Sequence, residues 1–289
     1  MKSVKLNFFG TEILVSSENE LLIERINYIF KYFLSNGEPQ LFFKVSIEKK
    51  GYADSRILDD GLLTNGIANI SYSYDNIKYY PWNFSDTFLP PLQIPPLAGR
   101  FLVLHGCAIR VMNMTVAFIA PSLGGKTTLV YHSIKNGALC ITDDLIFIED
   151  GYIIPYKKPV GIRESNHIAL ADLINQKHIS PLTLINPKGN ATYLTHLNDV
   201  FNSPYIEYRT KIDWFVVPDK DQFGNPRILN MFDLAQILSR SICNSGLHDK
   251  NMMKALFLAI NSIKGAFFLP TADIETAYRN LLSFIAEEK

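Results

Sequence analysis

The chain has 289 residues, 47% of them hydrophobic and 19% charged, and its 28 lysines and arginines balance 28 aspartates and glutamates. That composition describes a globular protein with room for one large or two modest domains. It excludes the positive field of a general nucleic-acid binder, and the lack of an apolar run of about 18 residues excludes a membrane-spanning helix.

The opening MKSVKLNFFG is too short and too interrupted for a signal peptide. Three cysteines, Cys107, Cys140 and Cys243, are odd in number and far apart, and two of them lie in apolar, strand-like runs. Buried thiols in a reducing cytoplasm are the expectation, with no membrane and no nucleic acid as partner.

Residues 1–88 read as a small N-terminal α+β domain. Val4 to Val15 alternates apolar and polar around Gly10-Thr11, the pattern of a hairpin. Ser17-Glu18-Asn19-Glu20 fits a capping box, and Leu22, Ile26, Ile29, Phe30 and Phe33 keep helical spacing up to Asn36-Gly37. Leu41 to Ile47 reads as a strand, and Ile67 to Tyr80 as a hairpin turning at Asp75-Asn76. Tyr72, Tyr74, Tyr79, Tyr80 and Trp82 suit packing between strands or a peptide-gripping surface. A proline-rich connector, Leu89 to Pro96, then separates a second domain over residues 97–289.

The second domain carries the chemistry. A strand-like run, Thr115 to Ala120, leads into Ser122-Leu123-Gly124-Gly125-Lys126-Thr127-Thr128, and about ten helix-forming residues then end at Asn136-Gly137. Strand, glycine-rich turn, Lys-Thr and helix together suit a phosphate chain. The turn directs backbone N–H groups inward, the helix adds its positive end, the lysine neutralises phosphate, and the threonine hydroxyl can ligate magnesium. The usual pattern begins with glycine where this chain has Ala120. Pro121 pushes Ala120 into an extended conformation that alanine accepts, so the cradle falls mainly to the amides of Gly124, Gly125, Lys126 and Thr127.

His105-Gly106 lies twenty-one residues before Lys126, and Asp143-Asp144 ends an apolar run after it. An aspartate beside such a loop can hold magnesium or take a proton from an attacking hydroxyl. An ordinary strand-ending turn, and a core histidine, account for the same residues taken singly.

Together these residues resemble the HPr kinase/phosphorylase family of bacterial serine kinases. His105-Gly106, Gly125-Lys126-Thr127, Gly137 and Asp143-Asp144 fall on its template without a gap, over about forty-five residues. The resemblance implies Asp144 as the base, His105 beside the phosphates, and magnesium on Thr127 with Asp143 or Asp144. It also implies an acidic residue and an arginine downstream. Arg163 is the candidate for charge neutralisation and Glu164 a weaker one for metal, although a surface ion pair explains both as well.

Further on, Asp150-Gly151 reads as a two-residue hairpin turn. His167, His178, His196 and Arg209 are scattered without metal spacing. Lys211 to Pro218 reads as a buried strand, Asp233 to Ile242 and Lys250 to Ile263 as helices, Ala266 to Leu269 as a strand, and Thr271 to Glu287 as a final helix.

The expected fold class is therefore α/β: an HPr kinase-like P-loop core with a mixed β-sheet and flanking helices, plus the small N-terminal α+β domain. The expected function is an ATP-dependent, Mg2+-requiring serine kinase. HPr-gripping features are not evident, and stand-alone kinases of this size accompany ribosomally made peptides such as lasso peptides. A serine of such a precursor peptide is the expected acceptor. Another protein or small-molecule hydroxyl, or a non-catalytic nucleotide-binding regulatory module, is the alternative; a homo-oligomer is compatible with all of these.

Overall fold

The computed structural model describes residues 1–49, 68–74, 77–79, 92, 97, 99–121, 124–163, 182–185, 191–202, 204–243 and 250–287. Outside them lie the Asp75-Asn76 turn, Tyr80, Trp82, most of the proline-rich connector, Ser122, Leu123, Glu164, His167 and His178. The described chain is mixed α/β and divides into two compact units. One comprises Met1–Leu97, Arg163–Ser165 and Ser180–Thr195; the other comprises Ala98–Ile162, Asn166–Ile179 and His196–Lys289.

In the first unit, strands β1 (Lys2–Phe8) and β2 (Thr11–Ser17) form an antiparallel hairpin. Its turn is Phe9-Gly10, both in the left-handed region, one residue earlier than the sequence pattern suggests. Helix α1 (Glu20–Ile29) follows. Its cap is Asn19, whose side chain accepts from the Leu22 amide at 3.1 Å. Ser17 is instead the last residue of β2 and accepts from the Asn19 amide at 3.1 Å. Two short polar side chains competed for one helix start, and the one nearer the helix prevailed. The helix stops at Ile29, and Lys31–Phe33 form a single 3₁₀ turn.

Strand β3 (Leu41–Lys49) runs parallel to β2, while β4 (Ala68–Tyr74) and β5 (Ile77–Tyr79) extend the sheet antiparallel. Leu6, Phe8, Ile13, Val15, Phe43 and the α1 residues Leu22, Ile26 and Ile29 are buried.

The second unit is built on β6 (Leu102–Val111) and its neighbour β7 (Met114–Ile119). Helix α2 (Lys126–Lys135) has the ten residues expected of it. Strands β8 (Leu139–Thr142) and β9 (Leu145–Glu149) both pair with β6, β9 along Leu102–His105 and β8 along Ala108–Arg110, where the register shifts between Ala108 and Ile109. β9 turns through Asp150-Gly151, both left-handed, into β10 (Tyr152–Ile154), as that dipeptide predicts.

After β11 (Val160–Arg163), strands β12 (Leu182–Ile185) and β13 (Ala191–Thr195) form an antiparallel hairpin in the first unit. β14 (Thr210–Lys211) and β15 (Trp214–Asp219) divide the single strand expected over 211–218. Asp213 breaks it: its amide donates to the Thr115 carbonyl at 2.9 Å and its carboxylate accepts from the Thr115 amide at 2.7 Å.

β16 (Arg227–Ile228), α3 (Met231–Arg240), α4 (Lys250–Asn261), β17 (Gly265–Pro270) and α5 (Ile274–Glu287) complete the unit. Asn230 caps α3, accepting from the Asp233 amide at 2.9 Å, and Asp273 accepts from the Thr276 amide at 2.7 Å at the start of α5. Both helices start at their Asx caps rather than at the residues expected from periodicity.

The sheet order is β14-β10-β9-β6-β7-β15-β17-β16, with β8 also on β6. The run β7-β15-β17 is parallel and the rest is antiparallel. Leu102, Leu104, Ile146, Ile148 and Phe215 share one core with Leu234 and Leu238 of α3 and Met252, Leu256 and Ala259 of α4. Strand alternation then turns His105 and Cys107 to the face away from Leu104.

Candidate active site

The C-terminal end of a parallel strand, followed by a turn and a helix, is where an open α/β sheet presents ligand sites. Here that end is Ile119-Ala120 of the β7–α2 connection. Its glycines have separate physical reasons. Gly125, the residue before α2, is left-handed at φ 83°, a conformation that costs an L-residue roughly 1–2 kcal/mol. Gly124 packs against Ala120, where an added Cβ would lie 2.7 Å from the alanine's own. Ala120 is not among the left-handed residues, so alanine fits in place of the usual glycine. No side chain caps the helix and no acidic residue occupies its first turn, which leaves its positive end suited to an anion.

Lys126 is the first residue of α2 and only 6% exposed. Its ammonium donates to the Ala120 carbonyl at 2.6 Å and the Pro121 carbonyl at 3.0 Å, and meets His105 Nε2 at 3.1 Å. An ammonium only donates, so Nε2 accepts and the ring proton sits on Nδ1. Nδ1 faces Asp144 Oδ1 at 3.4 Å. Burial and then Lys126 lower the His105 pKa from the usual 6.5, in keeping with a neutral ring.

The Asp-Asp pair occupies the gap between β8 and β9, where the chain leaves β6 at Ala108 and rejoins it at His105. Asp144 is left-handed at φ 72°, and its carbonyl accepts from the Gly106 amide at 3.1 Å. A Cβ on Gly106 would lie within 2.9 Å of Ile119, Phe118 and Ile146 atoms, so the His-Gly dipeptide is also a close-packing requirement.

Asp144 Oδ2 pairs with Lys158 Nζ at 2.9 Å. Lys158 is the first cause of the Asp144 pKa falling to about 2. Lys126, His105, Asp144 and Lys158 thus form one continuous chain.

Asp143 points elsewhere. It is 3% exposed and accepts from Thr127 Oγ1 at 3.2 Å and from Cys107 Sγ at 2.8 Å. Burial, with the Asp144 charge adding to it, raises its pKa. Burial first and Asp143 second push the Cys107 thiol well above its usual value, so it stays a protonated donor.

Threonine hydroxyl and carboxylate are hard oxygen donors of the kind Mg2+ takes, beside an anion-seeking helix end, and the pair fits that ion. Among the described residues no cluster of three or more histidine, cysteine or acidic side chains could cage a metal.

The structure therefore brings His105, Lys126, Thr127, Asp143 and Asp144 together, with Gly124, Gly125 and Thr128 in the turn and first helical turn. Ser122 and Leu123 lie outside the described residues. Arg163 ends β11 exposed and belongs to the first unit, whereas the cluster belongs to the second.

Sequence reasoning passed over Cys107 and Lys158. Cys107 was findable, because a strand's period of two puts it beside His105. Lys158 had no local signal, since a long-range bridge, Thr142–Tyr156, brings its segment back to β8. In comparison with known proteins, the chain matches no protein-family model and no curated protein.

Proposed function

We propose that this chain is an ATP-dependent serine kinase with an HPr kinase-like P-loop core. The observation carrying the reading is the chain of close contacts from Lys126 through His105 to Asp144, set at the open N-terminus of α2 with Thr127 and Asp143 alongside. A site that only binds phosphate has no use for a half-exposed carboxylate lined up with its lysine.

In this reading the turn amides and Lys126 hold the phosphates, and Lys126 exchanges the Ala120 and Pro121 carbonyls for phosphate oxygens as nucleotide enters. Thr127 and Asp143 would hold Mg2+, which would supply charge neutralisation to the phosphate chain. The Cys107 thiol keeps the Asp143 carboxylate turned toward Thr127. Asp144 receives the acceptor hydroxyl's proton, and neutral His105 links it to Lys126. Catalysis here is positioning and charge stabilisation without a covalent enzyme intermediate.

The acceptor in this reading is a serine of a ribosomally made, lasso-type precursor peptide. Incubation with γ-labelled ATP, Mg2+ and a serine-ended precursor peptide tests it. Label in the peptide, lost with Asp144→Asn, is the expected result. Label retained at wild-type rate by Asp144→Asn would remove the base from this mechanism, and nucleotide binding without any transfer would favour a regulatory module.

A further inference from the structure

The unit that holds the phosphate turn has its own candidate for a charge-neutralising role, Lys158. Lys158 is 7% exposed, and burying an ammonium is costly unless an anion faces it. Its place is fixed by the backbone. The Lys158 amide donates to the Tyr156 carbonyl at 3.2 Å, and the Tyr205 hydroxyl donates to the Lys158 carbonyl at 3.3 Å. Tyr156 is fully buried and bridged to Thr142 of β8, next to the Asp-Asp pair, and Pro159 holds Lys158 extended.

A merely structural ion pair would bury both partners, but Asp144 is 46% exposed in front of the phosphate turn, on a left-handed backbone. Its two oxygens face different neighbours: Oδ1 faces His105, and through it Lys126, while Oδ2 faces Lys158. The site thus has a second buried cation, on the Asp144 side of the space that the phosphates would fill.

We propose that Lys158 is a phosphate-contacting residue, whose ammonium passes from Asp144 to the transferred γ-phosphoryl group when Mg–ATP binds. This rests on the kinase reading above. The acceptor O–P bond forms as the bond from the γ-phosphorus to the β–γ bridging oxygen breaks. The bridging electron pair leaves with ADP, and the acceptor proton goes to Asp144. Lys158 stabilises charge on the γ-oxygens, and its departure from Asp144 frees that carboxylate as a base.

Calorimetric titration with Mg–ADP and with the non-hydrolysed analogue Mg–AMP-PNP tests this on wild type, Lys158→Met, Asp144→Asn and the double variant. A charge-assisted contact specific to the γ-phosphate predicts that Lys158→Met weakens AMP-PNP by about ten- to hundredfold. ADP affinity should stay within about threefold.

The double variant removes both charges and should remain as weak for AMP-PNP as Lys158→Met. If it regains wild-type affinity, Lys158 serves only to offset Asp144, and the proposal is overturned. An equal loss for ADP, or no loss at all, also overturns it. Should Lys158→Met fail to fold, the double variant set against Asp144→Asn alone decides the same point. A wild-type protein that binds neither nucleotide refutes the kinase reading itself, whereas a wild type that binds both leaves Lys158 to stand or fall by its own variants.

Discussion

Asp144→Asn changes one charge at nearly constant shape, so its consequences follow from that charge. Lys158 holds the Asp144 carboxyl at about 2 in place of the usual 3.8. Unscreened, that gap corresponds to about 2.5 kcal/mol at 1.36 kcal/mol per unit. The side chain is 46% exposed, and at that exposure solvent screening leaves about 1 kcal/mol. A carboxylate with a depressed folded pKa contributes fully above its unfolded value and loses the contribution as pH falls through the folded one. Wild type should therefore exceed Asp144→Asn by about 1 kcal/mol in urea denaturation near neutral pH. The difference should shrink from pH 3.8 downward and vanish near 2. A difference that ignores pH would mean that packing, not charge, is at stake, and a variant more stable than wild type at neutral pH would refute the pairing as a source of stability. In phosphoryl transfer the same variant should lose about 10²–10⁴-fold, the usual worth of a general base, with Mg–ATP affinity altered only a few-fold.

Lys126→Ala should abolish transfer and also cost about 1–2 kcal/mol in thermal or urea denaturation, because the buried Ala120 carbonyl loses its donor; unchanged stability would contradict the burial of the ammonium. Gly106→Ala, whose Cβ would sit 2.6 Å from Ile119, should destabilise the second unit by about 1–3 kcal/mol, and a neutral effect would show that β6 and β7 can separate there. Ala120→Gly should leave nucleotide affinity within a few-fold, whereas Gly124→Ala should remove it, since the new Cβ meets Ala120 at 2.7 Å. Asp143→Asn should raise the magnesium concentration needed for half-maximal nucleotide binding, and a loss of turnover that excess magnesium does not restore would argue against a metal role.

The parts of the fold legible in the sequence are those whose physics is local. Asp150-Gly151 announces its turn because both residues must be left-handed, and α2 announces its length because Gly125 precedes it and Gly137 follows. The start of α1 is less legible, because Ser17 and Asn19 both suit a cap: Ser17 accepts from the Asn19 amide, and only Asn19 accepts from an amide of the helix itself.

The division of β14 from β15 was not legible either. Asp213 breaks the strand by bonding to Thr115, nearly a hundred residues away in the chain. The site divides the same way. Its turn, lysine and aspartate pair are contiguous patterns, and their convergence depends on β6 pairing with both β8 and β9. Lys158 enters the site only through that tertiary arrangement.

The most direct measurement of the central claim is calorimetric titration of wild type and Lys126→Ala with Mg–ATP, with and without EDTA. A phosphate site at the start of α2 predicts one nucleotide per chain, binding weakened by chelation, and binding lost with the lysine. Binding that persists undiminished in Lys126→Ala, or a wild-type protein that takes up no Mg–ATP, would contradict it.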